Sequence, residues 1–332
     1  MNARCQQLGA RLRETLDAEI PAGARVALLD YPNHENVGDS AIWLGEMTYL
    51  AERGARVVYH CDLRSYDRRH LPDVDVVLLH GGGNLGDVWL PHQRFREQVL
   101  DDFRDRPVLQ LPQTIHFGDP ANLEQTKRAF ARHPRFTLMV RDARSLAFAH
   151  EQFDCSVVLC PDSAFALGAL VRPAAAQVPI LWLGRTDHEA GAHAAEPRDA
   201  GADVRRADWI GRANAGPLDL LARAGGELAA GLIGRLSSPP ARASQLLWAD
   251  WGWLARRRVA SGSALLSRGS VVVTDRLHAH IICLLLGLPH VALDNSYGKL
   301  SSFTSTWETL GADARWAESA SDALALAREL AA

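Results

Sequence analysis

Cysteine is scarce and scattered in this 332-residue chain: Cys5, Cys61, Cys155, Cys160 and Cys283 are odd in number and no two have CxxC spacing. Neither a disulfide framework nor a zinc site is therefore indicated. Long apolar runs are missing too, none approaching the ~18 residues that a membrane-spanning helix needs. The opening Met1 to Gln6 lacks the apolar core of a signal peptide. There is no basic excess either, since 36 Lys and Arg stand against 39 Asp and Glu, a formal charge of -3. That balance argues against nucleic acid as a partner. No repeat of ~20–50 residues is visible. A cytoplasmic globular protein is the expectation. Hydrophobic residues at 47% supply a core, and the length is a soft prior for two domains of ~150 residues each.

The most organised stretch runs from Val271-Val272-Val273 through Thr274-Asp275-Arg276-Leu277-His278-Ala279-His280 into an apolar segment closed by Gly287 and Pro289. A β-branched run that stops at two helix-capping residues and continues apolar predicts a buried strand, a tight turn and a buried helix. Thr274 and Asp275 are the expected caps. Arg276 and His278 then fall in the first helical turn, where the dipole disfavours cations by ~0.3–1 kcal/mol each. An anion over that helix end would reverse the penalty. Arg276 and His280 are four apart and share one side, with His278 on another. A satisfied core pair is the alternative, but charge at the start of an apolar helix favours a site.

Elsewhere apolar runs alternate with helical patterns. Strands are expected at Arg25–Asp30, Arg56–His60, Asp75–His80, Val108–Leu111, Phe136–Val140 and Val157–Cys160, then at Val178–Leu183, Val271–Val273 and His290–Asp294. Helices are expected near Cys5–Ile20, Ala41–Arg53, Asn122–His133, Leu218–Leu236, Ser244–Leu266 and from Ser321 onward. Such alternation predicts an α/β fold with parallel sheets covered on both faces. Two doubly wound Rossmann-like domains facing a cleft are expected, residues 1–172 and residues 173–332, the second carrying the C-terminal helix.

Ligands of parallel sheets bind beyond the strands' C-terminal ends, and polar loops stand at those ends. In Asn36-Val37-Gly38-Asp39, Asp39 could face a sugar hydroxyl or merely cap the helix, as could Ser40. His80-Gly81-Gly82-Gly83-Asn84 would let backbone approach a ligand, or form a simple tight turn; it has neither P-loop nor dinucleotide spacing. Arg141 could bring a second cation to an anionic ligand or pair at the surface with Asp142 or Asp162. Asp162-Ser163 is expected to cap the next segment, and Arg185 has the same strand-end place with no assigned role. Lys299, on the turn Tyr297-Gly298-Lys299, suits a phosphate contact. His188, His193 and His290 are expected to be surface or packing residues. Trp248, Trp251 and Trp253 beside Arg256-Arg257-Arg258 fit either peripheral contact with an anionic membrane surface or packing into the domain.

Taken in order, Asn36-x-Gly38-Asp39 with Ala41-Ile42, Leu79-His80-Gly81-Gly82-Gly83-Asn84, Arg141-Asp142 with Ser145, Pro161-Asp162, Thr274-Asp275-Arg276-Leu277-His278-Ala279 and Asp294-Asn295-x-Tyr297-Gly298-Lys299 resemble the polysaccharide pyruvyl transferase family. The likeness runs from about residue 25 to about residue 307 and departs from the family over 186–260. It implies transfer of pyruvate, as a ketal, from phosphoenolpyruvate to a sugar of a bacterial exopolysaccharide or its precursor, which could be a lipid-linked oligosaccharide at the inner face of the membrane. It also implies a fold similar to two-domain GT-B glycosyltransferases. The Arg-Leu-His motif assigns Arg276, Leu277 and His278 to the donor site. Arg141, Lys299, Asn36, Gly82, Gly83 and Asn84 join them as substrate-binding candidates. His278 is the expected general acid and Asp39 the group that orients or deprotonates the acceptor. No metal cluster is visible and no cofactor is required, phosphoenolpyruvate being a donor substrate. The rival readings are a GT-B-like glycosyltransferase using a nucleotide sugar and a non-catalytic partner in polysaccharide assembly.

Overall fold

The structure, a computed structural model, describes residues 3–184, 201–209, 241–294 and 298–332. Helix α1 (Ala3–Glu19) precedes β1 (Arg25–Leu29), α2 (Val37–Glu52), β2 (Arg56–Cys61), β3 (Val76–Leu79), β4 (Gly82–Gly86), α3 (Leu90–Asp102), β5 (Val108–His116), α4 (Pro120–Ala131), β6 (Phe136–Val140), α5 (Ala143–Gln152) and β7 (Ser156–Leu159). A short 3-10 turn, Ser163–Leu167, leads to β8 (Val178–Leu183), β9 (Val204–Ala207), α6 (Ala241–Leu266), β10 (Gly269–Thr274), α7 (Leu277–Leu286), β11 (His290–Ala292), α8 (Lys299–Trp307), β12 (Ala314–Trp316) and α9 (Ala320–Ala331).

The strands form two parallel sheets, so the fold is α/β as the alternation of patterns predicts. The first has seven strands in the order β2-β1-β3-β5-β6-β7, with β4 also on β5. The second has five, in the order β12-β11-β10-β8-β9. In both, the chain moves outward by one strand, then crosses back past its first strand and continues the other way. Each sheet therefore has one switch point where neighbouring loops diverge, between β1 and β3 in the first and between β8 and β10 in the second. Leu28, Leu78, Val272 and Leu181 are buried near those points, and the core continues through α1, α2 and α7.

Several local expectations are corrected. Strand β5 does not end at Pro112 but runs on to His116. Proline is tolerated there because its missing N–H falls in gaps of the ladder: β3 pairs only up to Gln110, β4 starts at Gln113, and the β6 register shifts between the same two residues. The glycine loop is likewise partly strand, β4, entered through Gly82 at φ +129. Asn36, not Asp39 or Ser40, caps α2, its side chain accepting from Gly38 N, and Asp39 falls in the first turn. Arg276, not Thr274 or Asp275, is the cap residue of α7, while Thr274 Oγ1 accepts from Arg276 N at 3.1 Å. Helices α3 and α8 and strands β9 and β12 are additions to the elements expected from the sequence, although Leu300, Phe303 and Trp307 give α8 a helical spacing. Arg185, His188, His193 and the expected helix over Leu218–Leu236 lie outside the described residues, as does the side chain of Trp248. Trp251 is buried and stacks on Tyr31 with centroids 4.4 Å apart, whereas Trp253 is 42% exposed with the Arg257 guanidinium 5.4 Å from its centroid. His290 is a packing residue, 1% exposed.

Candidate active site

Parallel strands deliver their C-terminal ends to one edge, and a helix follows most of them. At the first sheet β1 leads into α2, whose second residue is Gly38. At the second, β10 leads into α7, whose second residue is His278. These two helix starts meet: a Cβ on Gly38 would lie 2.4 Å from His278 Nδ1. Only glycine allows that approach.

Arg141, at the end of β6, reaches the same place. It is 2% exposed. Its Nη1 donates to Asp162 Oδ2 at 2.6 Å and lies 3.4 Å from His278 Nε2, and its Nε donates to Thr114 Oγ1 at 2.9 Å. The expected alternative of a surface pair is thus corrected: the pair with Asp162 is buried. Asp162 keeps its capping role, accepting from Ala164 N, and also lies 3.3 Å from His278 Nε2. Burial alone would push the Asp162 carboxyl up, but the neighbouring His278 and Arg141 outweigh it and hold it well below the usual range. One carboxylate thereby orients both a guanidinium and an imidazole.

The remaining donor of Arg141 faces the glycine loop. A Cβ on Gly83 would lie 3.1 Å from Arg141 Nη2 and 3.6 Å from Lys299 Nζ. Lys299 is the first residue of α8, whose cap Gly298 takes φ +67. Bare backbone at Gly83 is therefore flanked by two cations, one of them at the first residue of α8. Such an arrangement favours an anion through charge and through outward N–H groups. Gly82 borders Asp39, whose Oδ1 lies 3.7 Å from where its Cβ would be. Asn36 Nδ2 donates to Asp39 Oδ2 at 2.9 Å, and His34 Nε2 lies 3.4 Å from the same oxygen. Burial resists ionisation of Asp39, yet His34, His278, His80 and Arg141 together hold its pKa below the ordinary carboxylate value.

His278, Asp39, Arg141, Lys299, Asn36, Gly82 and Gly83 are thus brought together. The other three candidates are engaged elsewhere. Arg276 Nη2 donates to Asp208 Oδ1 at 2.6 Å and its guanidinium lies 5.9 Å from the Trp209 centroid, so its partners follow β9. Leu277 is core. Asn84 turns into the sheet, its Oδ1 accepting from Arg96 Nη2 and Gln113 Nε2 at 3.0 and 2.9 Å. His280 does not share a surface with Arg276: it is wholly buried against His290 and Thr309, each at 2.8 Å.

Sequence reasoning overlooked a second polar layer at the β1/β3 switch point. Asp30, ending β1 at φ +71, accepts from His92 Nδ1 at 2.9 Å. His80 Nδ1 lies 2.8 Å from Glu46 Oε2, and Glu46 Oε1 accepts from Gly81 N at 2.8 Å. Burial lowers the His80 pKa, but Glu46, Asp39 and Asp30 raise it by more, so the ring is held above its ordinary value. The Glu46 carboxylate pins the glycine loop from beneath. Glu46, the one charged residue in the stretch from Ala41 to Leu50 of α2, was the available signal.

A family profile described as polysaccharide pyruvyl transferase matches residues 36–297. Pyruvyl transferase 1 of Schizosaccharomyces pombe is 33% identical over 306 residues, covering 85% of this chain and 69% of that protein. A Bacillus subtilis protein with the provisional name pyruvyl transferase EpsO is 29% identical over 303 residues, covering 90% of each chain. A crystal structure of an uncharacterized protein from Klebsiella pneumoniae shares the fold, with a TM-score of 0.63 at 16% identity over 96% of this chain and 100% of that one.

Proposed function

The chain belongs to the polysaccharide pyruvyl transferase family, and we propose that it moves pyruvate from phosphoenolpyruvate onto two hydroxyls of a sugar in an exopolysaccharide or its precursor. The observation that carries this reading is the cation-flanked Gly83, with Arg141 and Lys299 on it and His278 against Arg141. Phosphoenolpyruvate brings about three negative charges, which a site of this kind offsets.

In the reaction His278 gives a proton to the methylene carbon, which becomes the methyl group. One sugar hydroxyl attacks the adjacent carbon and loses its proton. Phosphate then leaves with its bridging oxygen, and a second hydroxyl closes the ring, so one diol and one enol phosphate give one ketal and one hydrogen phosphate. Asp162, 3.3 Å from His278 Nε2, orients the ring that delivers this proton. Asp39, ionised and held by Asn36, accepts a hydrogen bond from the acceptor hydroxyl and takes its proton only as the new C–O bond forms. Arg276, paired with Asp208, supports the second sheet's switch point just before His278.

We take residues 1–172 and residues 173–332 as two units facing one another across a GT-B-like cleft. The first bears the acceptor contact Asp39 and the second the donor residues His278 and Lys299, with the donor seat at Gly83 and Arg141 where they meet. Among the described residues no helix is long and apolar enough to cross a membrane. The reading places the reaction in the cytoplasm, with Trp253 and Arg257 as the surface contact when the acceptor is lipid-linked. The test is incubation with phosphoenolpyruvate and a panel of glycosides, following phosphate release and the mass and linkage of the product. Phosphate release tied to a ketal product supports the reading. Nucleotide release from a sugar nucleotide, with no response to phosphoenolpyruvate, overturns it.

A further inference from the structure

Helix α8 does more than present Lys299. Residues 299, 302 and 306 are spaced three and four apart, so they share one face. Beyond Lys299, that face lies on the turn after β6. Trp307 Nε1 donates to Arg141 O at 2.7 Å, Ser302 Oγ donates to Asp142 Oδ1 at 3.0 Å, and Ala143 N donates to Thr306 Oγ1 at 2.8 Å. Arg144 N reaches Ser302 Oγ at 3.4 Å. Four consecutive residues of a first-sheet turn are thus held by one helix that follows a second-sheet strand. The hold continues inward, because Thr114 Oγ1 donates to Asp142 Oδ2 at 3.0 Å and accepts from Arg141 Nε at 2.9 Å. Both cations over Gly83 are therefore set by the same rigid element, one at its first residue and one through its last two turns.

Resting on the donor reading above, we infer that α8 is a clamp that fixes Arg141 against Lys299, with Ser302, Thr306 and Trp307 as positioning residues for the donor anion. None of the three touches the anion. Each acts by keeping the spacing between two cations, which an enol phosphate senses and an acceptor sugar does not.

The test uses full-length protein, calorimetric titration with phosphoenolpyruvate, and steady-state kinetics. Trp307→Phe keeps an aromatic ring and removes the indole N–H donor. It is expected to weaken phosphoenolpyruvate binding and raise its KM about tenfold, the scale of one hydrogen bond. The acceptor KM should stay unchanged. Ser302→Ala should behave likewise, and Ser302→Thr, which restores the hydroxyl, should return to the wild-type value. In an Arg141→Lys background Trp307→Phe should add little, because the residue it positions is gone. Wild-type protein that does not bind phosphoenolpyruvate overturns the donor reading and this inference together. Wild-type binding that is matched by Trp307→Phe and Ser302→Ala overturns the inference alone, as does an equal loss in the Arg141→Lys background.

Discussion

At the scale of single residues, Gly38 and His278 define each other. A methyl at position 38 would sit 2.4 Å from the imidazole Nδ1, so Gly38→Ala must push the ring or the start of α2 aside. Displacements of this size cost on the order of a hundredfold in rate. We expect kcat to fall by about that factor with the fold retained, checked by steady-state kinetics alongside circular dichroism. Asp162→Asn is harsher, because Arg141 stays buried and loses its counter-charge. Breaking such a pair costs about 3–5 kcal/mol, so urea denaturation should show a large loss together with reduced turnover. The Asp162 pKa is depressed on folding, so its contribution is complete above the ordinary carboxylate value of 3.8 and fades only as pH falls through the lower folded value. An acid limb of the rate profile near neutrality cannot belong to Asp162, nor to Asp39, whose shift has the same sign. At this scale the sequence was informative about loops and poor about partners. The glycines and Arg141 stand out at strand ends. That Asp162 would serve Arg141 and His278 depends on contacts between residues 21 and 116 positions away, which no local pattern encodes.

At the scale of elements, α7 is held from below by a buried relay. His290 Nδ1 donates to Leu288 O, His280 Nδ1 donates to His290 Nε2, and Thr309 Oγ1 donates to His280 Nε2. Every ring nitrogen is used in the neutral state, and burial pushes the His290 pKa from 6.5 down to about 4 and His280 well below its ordinary value. A folded pKa below the unfolded one means full stability above about pH 6.5 and progressive loss as pH falls toward 4. We expect the thermal midpoint to drop over that window by an amount equivalent to a few kcal/mol, and the slope to flatten in His280→Asn/His290→Asn. This relay explains why a histidine four residues from Arg276 is core: α7 is covered on nearly all sides, so helical spacing could not separate an interior face from a ligand-facing one. The reading of β5 failed for a comparable reason. Proline breaks a strand only where a neighbour needs its N–H, and here neither neighbour does.

At the scale of the whole molecule, the alternation of strand and helix patterns was enough to predict parallel α/β sheets, because buried parallel strands have continuous apolar runs. Strand order was not legible. It emerges only in three dimensions, where both sheets prove to share one winding and one kind of switch point. That shared design brings the helix starts of α2 and α7 together, while α8 locks the Arg141 turn beside Lys299. The central claim is that the bare backbone at Gly83, between Arg141 and Lys299, is the seat of an enol phosphate. The measurement that tests it most directly is a calorimetric titration of phosphoenolpyruvate into wild-type protein and Gly83→Ala. The account predicts saturable binding to the wild type, weakened at least about tenfold when a methyl occupies the cradle. Equal binding to both, or no binding of phosphoenolpyruvate alongside saturable binding of a sugar nucleotide, would contradict it.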